Sequence, residues 1–373
     1  MNINKYFILG LLLIVSSFNI AIGLVALCLY MISTLRLTTV PRYKLITVLL
    51  CFKFVFILLI HFIFSQKSLF VLIQTLSSDI LLLLILFIKL DSDDLRKFIF
   101  PLAGLFFIDL FFNLSLLIFG VDPLGRLSGF RPGDFIPRLH GVFGNPMFTI
   151  AISVAGIFIG FFLQKRWLML LGFFAILING TFRAPLTVIL IVSFYILLKL
   201  RIKYSLLVTC SFVFAALVFT ATIISAVQTG VLFTGASGFI SGNELRVLAW
   251  TSSIEQIIAS PWIGNHSFST GEFMMSADAI LEYGIAEAPW LQLALDYGVI
   301  VSALDFLIMF SLLKINIKRY YLDTSSHFNF IVALFTVVLV TERFYGVLYG
   351  TYFLTPIFLL CCVAAREKKH NPI

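Results

Sequence analysis

Residues 43–65 read YKLITVLLCFKFVFILLIHFIFS. Between Lys44 and Ser65 this run is almost wholly apolar, with one lysine, Lys53, near its middle. About twenty such residues, wound into a helix, match the ~30 Å hydrocarbon core of a bilayer. Arg42 and Lys44 close one end of the run. Comparable runs recur at about 68–90, 98–120, 141–163, 167–180, 184–199, 204–227, 291–313, 328–344 and 347–364. Region 6–35 fits either one long tilted helix or two short ones, so the expected total is 11 or 12 spans. The expected fold is all-α: residues 1–373 form a single integral membrane domain, with one large ordered loop at 228–290.

Composition points the same way. Of 373 residues 61% are hydrophobic and 42 are Phe, with a mean hydropathy of +1.08. No soluble domain is built so, and unbroken apolar runs exclude the alternating pattern of a membrane barrel. The net charge of +8 comes mainly from loop lysines and arginines, which in such a chain reflect topology and not nucleic-acid binding. Cys28, Cys51, Cys210, Cys361 and Cys362 lie in apolar runs without ligand spacing, so neither disulfides nor structural zinc are expected. The segment Met1–Tyr30 resembles a signal peptide, but the apolar sequence runs past any cleavage point and reads as a retained span.

Six basic clusters orient the spans: Arg36/Arg42/Lys44, Lys89/Arg96/Lys97, Lys165/Arg166, Lys199/Arg201/Lys203, Lys314/Lys318/Arg319 and Arg366/Lys368/Lys369. With the spans above, all fall on one side, which the positive-inside rule makes cytoplasmic. Lys5 joins that side if there are 12 spans. The outer side then carries 121–140, the turn near 180–183, the loop 228–290 and the turn 341–350. A loop this long is expected to be functional or disordered. It contains a predicted helix from Asn243 to Ser260, stopped by Pro261, with Arg246 and Trp250 on one face.

Arginines defy the sorting rule on that outer side: Arg126, Arg131, Arg138, Arg183, Arg246 and Arg343. A guanidinium fork matches phosphate oxygens at two points, and several together suit a pyrophosphate and its developing charge. The plainer reading pairs each with a nearby acid, Asp122, Asp134, Glu244, Glu255 or Glu342; Arg183 has no acid close in sequence. Among the loop acids Glu272, Asp278, Glu282 and Glu287, the last is the candidate general base for a sugar hydroxyl. It precedes Pro289-Trp290, where a helix start also favours an anion for purely structural reasons. His140 and His266 face outward and are secondary candidates, since a lone histidine is more often a hydrogen-bonding residue than a ligand or base. Lys53 and Asp79 lie at matching depth on neighbouring spans and read as an ion pair, with a proton or ion path as the alternative; Asp109 and Asp305 are further intramembrane charges. No P-loop or glycine-rich nucleotide motif is present.

Several segments carry a resemblance. Arg138-Leu-His140-Gly-Val-Phe-Gly-Asn145-Pro resembles the R-x-x-G-x-F-x-N-P segment of the O-antigen polymerase and ligase superfamily. Thr181-Phe-Arg183 stands where those proteins often carry Ser-Arg. Arg246 to Trp250 resembles their R-x-x-x-W, Ser260-Pro-Trp-Ile-Gly their P-x-x-G turn, and Glu287 to Gly298 their re-entering segment. The matches run from about 138 to 300. Ligases of that superfamily usually carry a His motif before the re-entering helix; here Glu287-Ala288 stands there, and Asn265-His266-Ser267 comes too early to replace it. The departure favours polymerase over ligase.

The resemblance implies a fold similar to type C glycosyltransferases and an enzyme of the bacterial inner membrane with its active site facing the periplasm. Such an enzyme transfers a glycan from undecaprenyl pyrophosphate to a sugar hydroxyl of a second lipid-linked unit. Arg183, Arg246 and Arg138 would hold the pyrophosphate, and Glu287 would take the acceptor proton. Trp250 and Trp290 would offer faces to sugars, with His140, Asn145, His266 and Arg343 as further substrate contacts. Neither cofactor nor metal is expected, because the arginines can neutralise the phosphate charge. Expected partners are the lipid-linked glycans, the bilayer and a polysaccharide chain-length regulator, with no nucleic acid. The alternatives are an O-antigen ligase acting on the lipid A core and a transporter or flippase for a lipid-linked sugar; transporters often show two related halves, and none is visible here.

Overall fold

The computed structural model describes residues 5–18, 20–34, 43–64, 69–87, 92–127, 139–144, 146–179, 183–202, 253–264 and 289–345. Among these the fold is all-helical: α1 (Lys5–Phe18), α2 (Ile20–Thr34), α3 (Lys44–Phe64), α4 (Leu69–Phe87), α5 (Ser92–Phe119), α6 (Pro146–Phe162), α7 (Arg166–Leu177), α8 (Arg183–Lys199), α9 (Pro289–Leu322) and α10 (His327–Tyr345). A short helical segment at 253–259 precedes α9. A helix satisfies its backbone hydrogen bonds within its own segment, which suits an apolar chain where water is excluded.

Three of these segments are long and apolar enough to cross a membrane: Lys44–Phe64, Asp94–Phe119 and Leu291–Leu322. On α3 the exposed residues Leu45, Val48, Phe52, Val55, Leu59 and Phe62 form one apolar stripe, and Ile46, Leu50, Lys53, Ile57 and Ile60 face the protein. An apolar stripe of that extent marks a surface that is covered by a membrane or by another protein. The central helices are apolar on every side, as buried helices are: residues 151–161 of α6 and 330–340 of α10 are all buried. Phe158 of α6 packs on Phe335 of α10 with ring centroids 4.0 Å apart. The predicted span 167–180 is a helix of 12 residues, α7, which packs back on α6 where Gly172 meets Ile157 and the Ser153 carbonyl.

Region 6–35 is two helices. The Tyr30 hydroxyl donates to the Lys5 carbonyl at 3.0 Å. In one continuous helix those residues would stand roughly 37 Å apart, so the chain doubles back between Phe18 and Ile20. Lys5 therefore lies at the same end as the last turns of α2.

Four of the basic clusters also share an end. Arg319 donates to the Tyr43 hydroxyl, beside Lys44, at 3.1 Å. The Tyr320 hydroxyl donates to the Leu198 carbonyl at 3.3 Å and the Tyr321 hydroxyl to that of Ile202, joining the cluster at Lys314–Arg319 to that at Lys199–Arg201. The imidazole Nε2 of His327 donates to the Phe161 carbonyl at 2.8 Å, just ahead of Lys165 and Arg166.

The re-entering span differs from a simple helix. Helix α9 is broken at Gly298 (φ 85°, ψ 169°), leaving a short arm from Pro289 and a long one to Leu322. The break is filled by the turn Ser260–Gly264: the Val299 N–H, freed by the kink, donates to the Pro261 carbonyl at 2.8 Å. A Cβ on residue 298 would overlap the Trp262 carbonyl and lie 2.8 Å from the Ile263 nitrogen. That backbone region is essentially closed to any residue but glycine. Gly298→Ala is expected to lower stability by at least ~1–3 kcal/mol from backbone strain alone, read as a fall in the thermal midpoint of the detergent-purified protein.

Candidate functional site

At the end of the bundle away from the basic clusters, residues 139–144 lead into α6 and form part of the Arg138–Pro146 motif. Two polar residues one turn apart on α5 hold this segment. Asp109 accepts from the Val142 N–H at 2.9 Å and from the Asn113 amide at 3.0 Å, and Asn113 accepts from the Gly141 N–H at 3.0 Å. Both are buried, so each N–H they satisfy removes a backbone donor that would otherwise be stranded. Gly141 takes φ +58°, and a Cβ there would overlap the Asp109 carboxylate and the Thr149 hydroxyl.

Arg126 completes the frame. Its guanidinium donates to the Gly141 carbonyl at 2.7 Å and to Asp122 at 2.5 Å. Asp122 also accepts from the N–H groups of Leu124 and Arg126, at 2.9 and 2.8 Å. Burial acts to raise the pKa of this carboxyl, but hydrogen bonds from Arg126 and Leu124, with the guanidinium charge, hold it below the usual carboxylate range. For Arg126 the plainer of the two sequence readings holds: it pairs with Asp122 and supports a loop.

The segment carrying Arg138 is joined to the one carrying Arg183. The Asn179 amide, at the end of α7, donates to the Leu139 carbonyl at 3.4 Å. Arg138 immediately precedes Leu139, and Arg183 opens α8 four residues after Asn179. His140 is half-buried on the pinned segment. Trp290 is the second residue of α9 and Arg343 lies in the last turn of α10; the side chains of Arg183, Trp290 and Arg343 are outside the described set. Arg138, Asn145, Arg246, Trp250, His266 and Glu287 lie outside the described residues altogether. The described part of the predicted loop helix covers 253–259 and stops one residue short of the expected end at Ser260, ahead of Pro261; residues 243–252 of it are likewise outside the described residues.

A second polar cluster lies deeper. Lys53 of α3 bridges Asp79 of α4 at 2.8 Å and Asp305 of α9 at 2.9 Å, all three buried. The expected Lys53–Asp79 pair is present, and Asp305 joins it. The cluster ties the long arm of the broken helix to two other helices.

Asn113 was not singled out from sequence, although its spacing of four from Asp109 on an apolar helix was a usable signal. No protein-family model matches this chain, and no curated protein matches it either.

Proposed function

We propose that this chain is a multi-pass glycosyltransferase of the bacterial inner membrane that polymerises lipid-linked oligosaccharide units at the periplasmic face. The observation that carries the reading is the Asn179–Leu139 hydrogen bond. It joins the chain segments bearing Arg138 and Arg183 at the end opposite four basic clusters. The turn at 260–264 and the arm that follows Glu287 are likewise packed together, at Gly298. The family likeness of those segments in sequence supports the same reading.

In this reading the acceptor hydroxyl attacks the anomeric carbon of the donor glycan. Its proton passes to Glu287, a new glycosidic bond forms, and the bond from the anomeric carbon to the pyrophosphate oxygen breaks. Arg138, Arg183 and Arg246 neutralise the charge gathering on the departing undecaprenyl pyrophosphate. The basic end faces the cytoplasm, and a chain-length regulator is the expected protein partner.

Two features favour a second reading as a transporter of a lipid-linked sugar: the discontinuous helix α9 and the buried Lys53 cluster. The glycan profile of a deletion strain separates the readings. A polymerase deletion leaves core carrying one repeat unit. A ligase deletion leaves bare core, with polymer still on the lipid carrier. Loss of a transporter leaves bare core with single lipid-linked units accumulating inside.

A further inference from the structure

The segment 253–264 packs Ile263 on the buried core yet leaves three large apolar side chains on its outward side. Its inward side carries Ser253, fully buried, and Ser260, whose hydroxyl donates to the Gly264 carbonyl at 2.7 Å. Its outward side carries Ile254, Ile258 and Trp262, four residues apart and 43, 71 and 68% exposed. Isolated exposed apolar residues need no explanation, but three in register along one short segment do.

Where this segment sits says what covers it. Its turn is fixed to the break in α9 through Pro261 and Val299. Val299 and Leu307 lie on the exposed side of α9, and Lys314 and Lys318 follow on that side at the basic end. Counting 1.5 Å per residue, Gly298 stands about 30 Å from Lys318, the thickness of a hydrocarbon core. If the lysines mark one membrane surface, Trp262 falls at the other, the depth that tryptophan prefers. The outward face of 253–264 thus continues the lipid-facing surface of α9.

We infer that residues 253–264 lie in the outer membrane interface, with Ile254, Ile258 and Trp262 seated among lipid acyl chains and Glu255 at the headgroup level. The covering partner is the lipid itself, so the turn that clasps the helix break is anchored from both sides. The inference rests on α9 crossing the membrane and is independent of the transferase reading.

The test is spin-label depth measurement on the full chain in liposomes of phosphatidylethanolamine and phosphatidylglycerol. Its five cysteines are first replaced by alanine. Labels are placed through Ile258→Cys, Trp262→Cys, Glu255→Cys and, as a reference within α9, Leu307→Cys. At 258 and 262 collision with oxygen should exceed collision with a water-soluble nickel chelate several-fold, with the reverse at 255. Preference for the chelate at 258 and 262, or shielding from both reagents by protein, overturns the inference while Leu307→Cys still reads lipid. A Leu307→Cys label that reads water overturns the membrane-crossing premise together with it.

Discussion

Replacing Lys53 by methionine is expected to destabilise the protein by about 3–5 kcal/mol, the effect of removing one partner from a buried ion pair. The substitution keeps the length and apolar stem of the side chain, so little packing is lost. What remains is two buried carboxylates, Asp79 and Asp305, that both faced one ammonium at 2.8 and 2.9 Å. Asp79→Asn and Asp305→Asn should be milder, since each leaves Lys53 with one charged partner. A triple variant Lys53→Met, Asp79→Leu, Asp305→Leu should recover much of the loss, because replacing a whole buried charge cluster by apolar residues of similar volume is often close to neutral. Unfolding midpoints in mixed detergent and SDS give this order directly. A Lys53→Met midpoint equal to wild type would mean that the cluster does not hold α3, α4 and α9 together.

Arg183→Ala and Arg246→Ala are each expected to lower polymer formation by about 10²–10³-fold, the usual loss when one donor to a developing oxyanion is removed. Arg183→Lys should recover little, because an ammonium offers a point charge where a guanidinium offers a planar fork. Neither substitution should shift the unfolding midpoint as Lys53→Met does. Arg126→Ala should behave differently. Its guanidinium is engaged by Asp122 and the Gly141 carbonyl, so its loss should loosen the 139–144 segment and lower stability as well as activity.

Much of the architecture was legible because apolar run length is a direct physical requirement of a bilayer. The run at 43–65 became Lys44–Phe64 almost residue for residue. The grouping of basic clusters also held for the four that hydrogen bonds tie together. Region 6–35 was ambiguous because about thirty apolar residues suit one tilted helix or two short ones; only the Tyr30–Lys5 contact decides it. The break at Gly298 was not legible. A lone glycine is tolerated in helices, and the turn that makes this one necessary lies some thirty-five residues upstream.

Polar residues within apolar runs were legible as exceptions but not in their roles. Asp109 stood out as a mid-span charge; that it holds the 139–144 segment follows only once α5 and that segment are side by side. Asp305 stood alone because its partner Lys53 is 252 positions away. Arg126 and Asp122, four apart, were an outer pair that spacing could join, and the structure joins them.

The central claim is that guanidinium groups from separate segments grip one diphosphate at the end of the bundle away from the basic clusters. It is tested most directly with purified protein in liposomes given undecaprenyl-pyrophosphate-linked repeat units, comparing wild type with Arg183→Ala and Arg246→Ala. Wild type should build a ladder of polymer lengths and release undecaprenyl pyrophosphate, while both variants, folded and membrane-inserted, leave single units unjoined. Full ladders from both variants would contradict the claim.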